Sequence, residues 1–428
     1  MTRSQIRRLL LGSLMLLALA PAGMGFVVKQ AYLAGIDAFN QNENADFVLT
    51  GEFDQGFWTS SSTTRLKAVS DLDPKVFVFQ QAWAHGPIPL GEWLSGRLTV
   101  SWVLAVVQTS LTAWPSEWPE VASGEVGKPL MESTTRIYFD RSVALRVSVP
   151  AVKSEPAGFF SEGFSGDFEI ALGATPSLSG ILSFLETDFE LGRRLKFDQA
   201  ALKILATSSE KNFQSVEVDL GMNALRIEDS LFASVDFQAE IHRVDLEAII
   251  ELNRALSQAA LVAKASGGAE PTESEILANG LPRVLGTSPR LEVSKLFLGT
   301  SDQSIQGQAE LSVDGSDPAG LSDPFSVLTR VSAEASLSAH QSTVAQILDR
   351  YFVQQMVDTG QAEGFSQGDL NDMAGFMRDA ALGTLGAGKR IVLVGEEIQV
   401  RFELKDGRLI LNGERLGPEE VGQLFSPL

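Results

Sequence analysis

Two hydrophobic periods divide this chain. Residues 9–28, LLLGSLMLLALAPAGMGFVV, carry no charge. Twenty residues at 1.5 Å each make a helix of about 30 Å, the thickness of a bilayer's hydrocarbon core. In residues 29–39 Tyr32, Ile36 and Phe39 recur at near-helical spacing, so the helix is expected to run on past the apolar stretch. Beyond residue 40 the period falls to two. Val235, Phe237, Ala239 and Ile241 alternate with polar residues. So do Phe168, Ile170 and Leu172; Val216, Val218 and Leu220; Ile305, Ala309, Leu311 and Val313; and Val331, Ala333, Ala335 and Leu337. Each set predicts a strand with one apolar face, as in antiparallel sheets with a solvated back.

Two stretches return to the helical period. Residues 245–265 place Leu246, Ile249, Leu252, Leu256 and Ala259 on one stripe, and Gly267-Gly268 stops it. Thr272 and Glu275 have capping-box spacing for a short helix over 272–279. Residues 342–382 predict two helices parted around residues 360–364. The chain closes with strand signals over 390–404 and 408–411 and the turn pairs Asp406-Gly407 and Asn412-Gly413. This order predicts an α+β fold: a large, mostly antiparallel, β-rich sheet architecture with a few inserted helices, after an N-terminal transmembrane helix. Strict βαβ alternation is absent, which argues against a doubly wound enzyme fold.

Arg3, Arg7 and Arg8 precede the apolar run and set the N-terminus on the cytoplasmic side. The expected parts are a basic cytoplasmic N-terminus (1–8), a transmembrane anchor or uncleaved signal (9–28), and a periplasmic β-rich region (29–428) subdivided near residues 266–272. A cleaved signal peptide ending at Ala18-Leu19-Ala20 competes with the anchor. Pro21 would sit just after that cut, where its ring suits a protease poorly, and the run continues through Val28. The chain has no cysteine, so lipoprotein processing, disulfides and thiolate chemistry are excluded.

Charge narrows the partners. Asp and Glu number 54 against 34 Lys and Arg, and three of those arginines precede the anchor, so the body is strongly acidic. Such a surface repels phosphates and excludes nucleic acid as a partner.

The chain offers little chemistry. His85 lies in WAHGPIPLGEW, where glycines and prolines force an irregular segment and no nucleophile-elbow sequence is near. His242 and His340 stand near the ends of predicted strands, and no two histidines share metal-ligand spacing. The acidic residues, Asp54, Asp140, Glu162, Asp167 and Asp406 among them, match no calcium-loop register. Residues 383–389, GTLGAGK, have phosphate-loop spacing, but Arg390 stands where a Ser or Thr hydroxyl is required, and helix precedes strand instead of following it. They are expected to be a glycine-rich helix stop. Phenylalanine (25) and tryptophan (6) far outnumber tyrosine (3), so the clusters at Trp102, Trp114 and Trp118 and at Phe159, Phe160, Phe164 and Phe168 are expected to fill core; a groove for an apolar ligand is the alternative.

Three phrases add a resemblance. His85-Gly86-Pro87-Ile88-Pro89-Leu90, then residues 125–130 ending Lys128-Pro129-Leu130, then residues 405–425 with Asn412-Gly413, resemble in order and position the YdgA-like family of bacterial envelope proteins. Ile88 departs from the aromatic usual there. The resemblance implies a Gram-negative inner-membrane protein facing the periplasm and carries over no catalytic residue; a structural role is expected for the motif residues. The expected function is a membrane-anchored periplasmic envelope protein, non-enzymatic, that binds a protein partner or an apolar or lipid ligand on a β-sheet scaffold. The competing expectation is a periplasmic hydrolase with two buried carboxylates roughly 5–10 Å apart. A homodimer through the helices of residues 342–382 is a further expectation. No cofactor or metal is expected.

Overall fold

A computed structural model describes residues 23–417 apart from 42–46, 69–74, 87–102, 115–119, 122–128, 155–157, 172–175, 191–193, 211–212, 228–229, 246–247, 250, 254, 257–272, 300–302, 318–328 and 363. Residues 1–22, which hold the basic N-terminus and most of the expected transmembrane segment, lie outside the described residues, as does the expected subdivision at 266–272. Residues 23–28 open helix α1, residues 23–40. Among the described residues no helix is long and apolar enough to cross a membrane.

The chain divides into two compact units, residues 1–203 with 226–229, and residues 204–225 with 230–428. The first is built of β1 (Phe47–Asp54), β2 (Thr59–Ala68), β3 (Val76–His85), β4 (Val103–Ala113), β5 (Glu120–Val121), β6 (Met131–Tyr138), β7 (Ser142–Val149), β8 (Val152–Ser154), β9 (Phe159–Ser161), β10 (Phe164–Ala171), β11 (Ser177–Phe184), β12 (Thr187–Glu190) and β13 (Arg194–Phe197). Its main sheet runs β1-β2-β3-β4-β6-β7-β10-β11, every neighbour antiparallel. The short strands form a second ladder, β5-β8-β9-β12-β13. Phe77, Leu111, Leu130 and Val152 make a buried cluster between the two ladders, with Phe159 and Trp114 packed against it.

Aromatic rings fill this unit, as expected of core. Phe168 lies directly opposite Gly180, and its ring covers both Gly166 and Gly180: a Cβ on either would fall 2.8 or 2.4 Å from a ring carbon. Phe164, Phe184, Phe197 and Phe189 continue as a chain of tilted and edge-on rings with centroids 5.4 to 6.5 Å apart. Trp102 and Trp118 lie outside the described residues.

Strands β14 (Gln199–Glu210) and β15 (Phe213–Ile227) carry the chain into the second unit. Its sheet is β16 (Ser230–Asp245), β17 (Arg290–Gly299), β18 (Ser304–Val313), β19 (Val331–His340) and β21 (Glu397–Lys405), antiparallel in that order. Both β20 (Val392–Val394) and β22 (Arg408–Leu411) pair with β21, and β23 (Glu414–Arg415) closes the hairpin. The described residues of 248–256 are helical (α2). Helix α3 (Glu273–Leu285) outruns the expected 272–279, continuing through Pro282.

The helical hairpin α4 (Gln341–Asp358) and α5 (Gln367–Ala387) matches the two expected helices. It closes on Phe352, Met356, Leu370 and Ala374. Ser366 and Asp369 form a capping box at the start of α5. Residues 383–387 of the phosphate-loop look-alike are the last turn of α5, and Gly388 caps it. The strand expected over 390–404 is broken by a turn at Gly395, whose φ is 64°.

Replacing Phe168 with alanine uncovers two glycines with no side chain to close the gap. The expected loss is about 2 kcal/mol, below the full core value because the ring is half-buried; a fall in the denaturant midpoint of the first unit checks it.

Candidate functional site

The motif residues do not come together. His85 ends β3 and Gly86 follows it, its N–H bonded to the Leu104 carbonyl at 3.3 Å. Leu130, next to Pro129, belongs to the core cluster around Phe77, at the other end of β3. Asn412 and Gly413 form the turn between β22 and β23 in the second unit. Pro87, Pro89, Leu90 and Lys128 lie outside the described residues.

His85 is the most enclosed of them, 1% exposed. Its Nε2 lies 2.7 Å from Ser60 Oγ, and Ser60 Oγ also accepts the Gly56 N–H at 3.1 Å. Ser60 Oγ and Nε2 share one hydrogen bond, in which either atom can donate according to the ring tautomer. Nδ1 is buried with no hydrogen-bond partner among the described residues. Burial holds the imidazole below its ordinary value, so it is neutral near pH 7. Ser60 and His85 have the spacing of a nucleophile and its base, but both are buried beneath Gly25 of α1, at which a Cβ would lie 3.2 Å from the ring. Enclosure and a neutral, uncharged setting make this a packing contact of the helix, not a reaction centre.

Ser60 opens a polar row that runs under α1. Ser62 and Thr64 of β2 both donate to Gln81 Oε1, and Trp83 Nε1 donates to Ser62 Oγ at 2.8 Å. Thr64 has spent its proton on Gln81, so Tyr32 of α1 donates to Thr64 Oγ1, 2.8 Å away. The Tyr32 ring rests on Gly51, where a Cβ would fall 2.2 Å from its hydroxyl, and packs against Phe53 and Trp83. Gly25, Val28, Tyr32 and Ile36 are the helix face turned to the sheet. Phe39, expected on that face, is left 40% exposed. At the end of the helix, the Asn40 side chain satisfies both backbone groups of Leu49 on β1, at 2.7 and 2.8 Å.

Asn412 does comparable work by another route. Its φ is 51° and Gly413's is 84°, the positive pair that a tight hairpin requires. Its side-chain oxygen accepts from Arg401 N at 2.7 Å, and its amide donates to the Lys389 carbonyl at 3.0 Å, tying the hairpin to the end of α5.

The second unit presents two faces of opposite character. Residues paired directly across antiparallel strands share a face. Ile241, Leu291, Leu311, Ala333 and Leu404 form one row across five strands; Ala239, Val293, Ala309, Ala335 and Phe402 the next; and Phe237, Leu296, Gly307, Leu337 and Val400 a third. This face is open near its middle, with Leu311 40% and Leu337 42% exposed. On the reverse, Glu240, Glu292, Glu310, Glu334 and Glu403 form a row of five like charges. Arg290 bonds Glu292 and Glu310 at 3.2 and 3.0 Å, and Arg401 bonds Glu334 at 2.7 Å. Beside this row lies a trough of about 830 Å³ lined by Lys295, Gln306, Ser338, Gln399 and Arg401 among others.

Among the described residues five carboxylates depart from their ordinary range, all downward. Hydrogen bonds from Ser142, Ser366 and Ser338 lower Asp140, Asp369 and Glu397 in turn, the backbone N–H of Ser316 is the main cause at Asp314, and a hydrogen bond from Arg194 lowers Asp188. A general acid needs the opposite shift. Among the described residues no group of three His, Asp or Glu is placed to hold a metal ion.

No curated protein and no solved structure matches the chain. The model of a bacterial protein family of unknown function, DUF945, matches residues 9–187 and 185–419, which agrees with the expected uncharacterised bacterial family.

His85 sets a pH dependence. A neutral imidazole with a lowered folded value binds fewer protons than the unfolded chain, so stability falls as pH drops below about 6.5. That acid-side slope is expected to shrink in a His85→Gln variant, measured by melting across pH 5 to 7 at about half-unit steps. Asn412→Ala is expected to cost about 1 kcal/mol, and Asn412→Asp less, since it keeps the acceptor for Arg401 N; parallel melts rank the two.

Proposed function

We propose that this chain, which belongs to the bacterial family of unknown function DUF945, is a membrane-anchored envelope protein that holds an apolar ligand such as a lipid chain on the sheet of its second unit. The observation that carries the proposal is the run of apolar rows across β16, β17, β18, β19 and β21, with Ile241, Leu311 and Leu337 still exposed by 36 to 42%. Contiguous exposed apolar surface of this kind marks an interaction site. The anchor is supported by the uncharged run of residues 9–28 behind Arg3, Arg7 and Arg8, which places the body on the periplasmic side. Binding without catalysis fits a chain whose fully buried serine–histidine pair, Ser60 and His85, is sealed under a helix. The hydrolase alternative finds no raised carboxylate among the described residues to carry it.

A second association is favoured by the helical hairpin. Ile347 and Tyr351 of α4 and Met373 and Phe376 of α5 are exposed, Phe376 by 77%, and their helical phase sets them on one side of the pair. A homodimer through this side would cover them.

The test is native mass spectrometry of the full chain released from membranes by mild detergent. A lipid mass that accompanies the wild type and is lost from the Leu311→Glu, Leu337→Glu double variant is the expected outcome. An identical lipid load in both, or none in the wild type, overturns it, and a protein adduct lost in the variant would replace the lipid with a protein partner.

A further inference from the structure

The hairpin between β1 and β2 carries two aromatic residues with no structural use inside the unit. Phe57 is 46% and Trp58 38% exposed, their rings edge to face with centroids 5.1 Å apart. The loop under them is firmly held. The Gly56 N–H is bonded to Ser60 Oγ, and the Trp58 carbonyl accepts the His85 N–H at 3.0 Å. Gly56 cannot be enlarged, since a Cβ there would meet the Thr59 carbonyl at 2.0 Å. Two large apolar rings are thus held outward by the Ser60 side chain, which the His85 ring bonds, and by the backbone N–H of residue 85.

This loop sits against Gly25 of α1. A Cβ on Gly25 would lie 3.2 Å from the His85 ring and 3.6 Å from the Gly56 carbonyl, so residue 25 and the hairpin tip are in contact. On the opposite side of the helix Phe26 and Val27 are more than half exposed. The helix then runs from the tip toward the edge of β1, with Tyr32 on Gly51 and Asn40 on Leu49. Residue 25 also falls in the last turn of the uncharged run 9–28, which by its length would leave a bilayer at this level. An exposed Trp and Phe beside the exit of a membrane helix have the composition of an interfacial belt.

We infer that Phe57, Trp58, Phe26 and Val27 form an apolar collar that seats the first unit in the lipid interface around the anchor helix. The occupant is the bilayer. The body is too acidic to be drawn to anionic headgroups, so uncharged rings are the groups able to make that contact, and the uncharged run of residues 9–28 ends beside them. His85 and Ser60 are positioning residues for the collar, which gives the first motif a role without chemistry. The inference rests on the anchored reading.

The absence of cysteine makes the test clean. Phe57→Cys and, as a control on exposed β10, Glu169→Cys are made in the full chain, spin-labelled and reconstituted in phosphatidylcholine vesicles. Flotation of the vesicles first shows whether the chain is membrane-bound. Contact of the label with oxygen, which partitions into lipid, is then compared with contact with a water-soluble nickel chelate. Oxygen is expected to dominate at position 57 and nickel at position 169. A label at 57 as nickel-accessible as the control, in protein that floats, overturns the collar while the anchor stands. Protein that does not float overturns both. In a His85→Ala background the label at 57 is expected to lose part of its oxygen preference; an unchanged value in floating protein removes the positioning role.

Discussion

Strand register is the constraint on which the second unit depends. A slip of one residue in any of its strands would turn a whole set of leucines and valines toward the glutamates. The unit keeps parity through five strands, so Leu291, Leu311 and Leu404 share a face while Glu292, Glu310 and Glu403 share the reverse. On the apolar face of β17 stand Leu291, Val293, Leu296 and Leu298, and the step from 293 to 296 breaks the alternation. A bulge absorbs the extra residue: Val293 pairs with Ala309 and Leu296 with Gly307, so two residues stand against one. Gly307 then leaves room between Leu296 and Leu337, whose methyls would lie 3.3 and 3.2 Å from a Cβ at that position.

The first unit solves a different problem. A helix that leaves an apolar run has little polar surface of its own to offer a sheet, yet β2 presents Ser60, Ser62 and Thr64 to it. These hydroxyls are buried, and a buried hydroxyl without a partner costs about 1–3 kcal/mol. The sheet supplies the partners itself, through Gln81, Trp83 and His85 of β3. Only Tyr32 reaches across from the helix. The helix is therefore positioned by shape, at Gly25 against His85 and Tyr32 against Gly51, with one hydrogen bond and the Asn40 clasp to set its register.

These two devices explain what was legible in the sequence. Strands β10, β15, β16, β18 and β19 show the period directly because each has one apolar and one solvated face. Strand β17 hides it behind its bulge. Strand β2, TSSSTTRLKA, alternates apolar with polar only at its end, in Leu66 and Ala68, since at Ser60, Ser62 and Thr64 the face it buries is hydroxyl. The helical hairpin was readable from its spacing and its glycine break. The sealed position of His85 was not, because enclosure comes from Gly25 and Ser60, distant in sequence and silent as a motif. The exposed aromatics of the β1–β2 hairpin were likewise invisible: Phe57 and Trp58 look like any others until the loop is seen to hold them outward.

The glutamate row gives the second unit a direction. Like charges placed opposite one another across strands are unfavourable, and Arg290 and Arg401 offset the repulsion only while water screens the remainder, because exposed ion pairs of this kind contribute about 0–1 kcal/mol each. Covering that face would strip solvent from five carboxylates with two arginines among them, at a cost of several kcal/mol per uncompensated ion. The opposite face holds leucine, valine and alanine in the same register and loses nothing when water leaves it. A ligand of the kind proposed would thus be confined to one side of the sheet by charge on the other, and the side left to it is apolar.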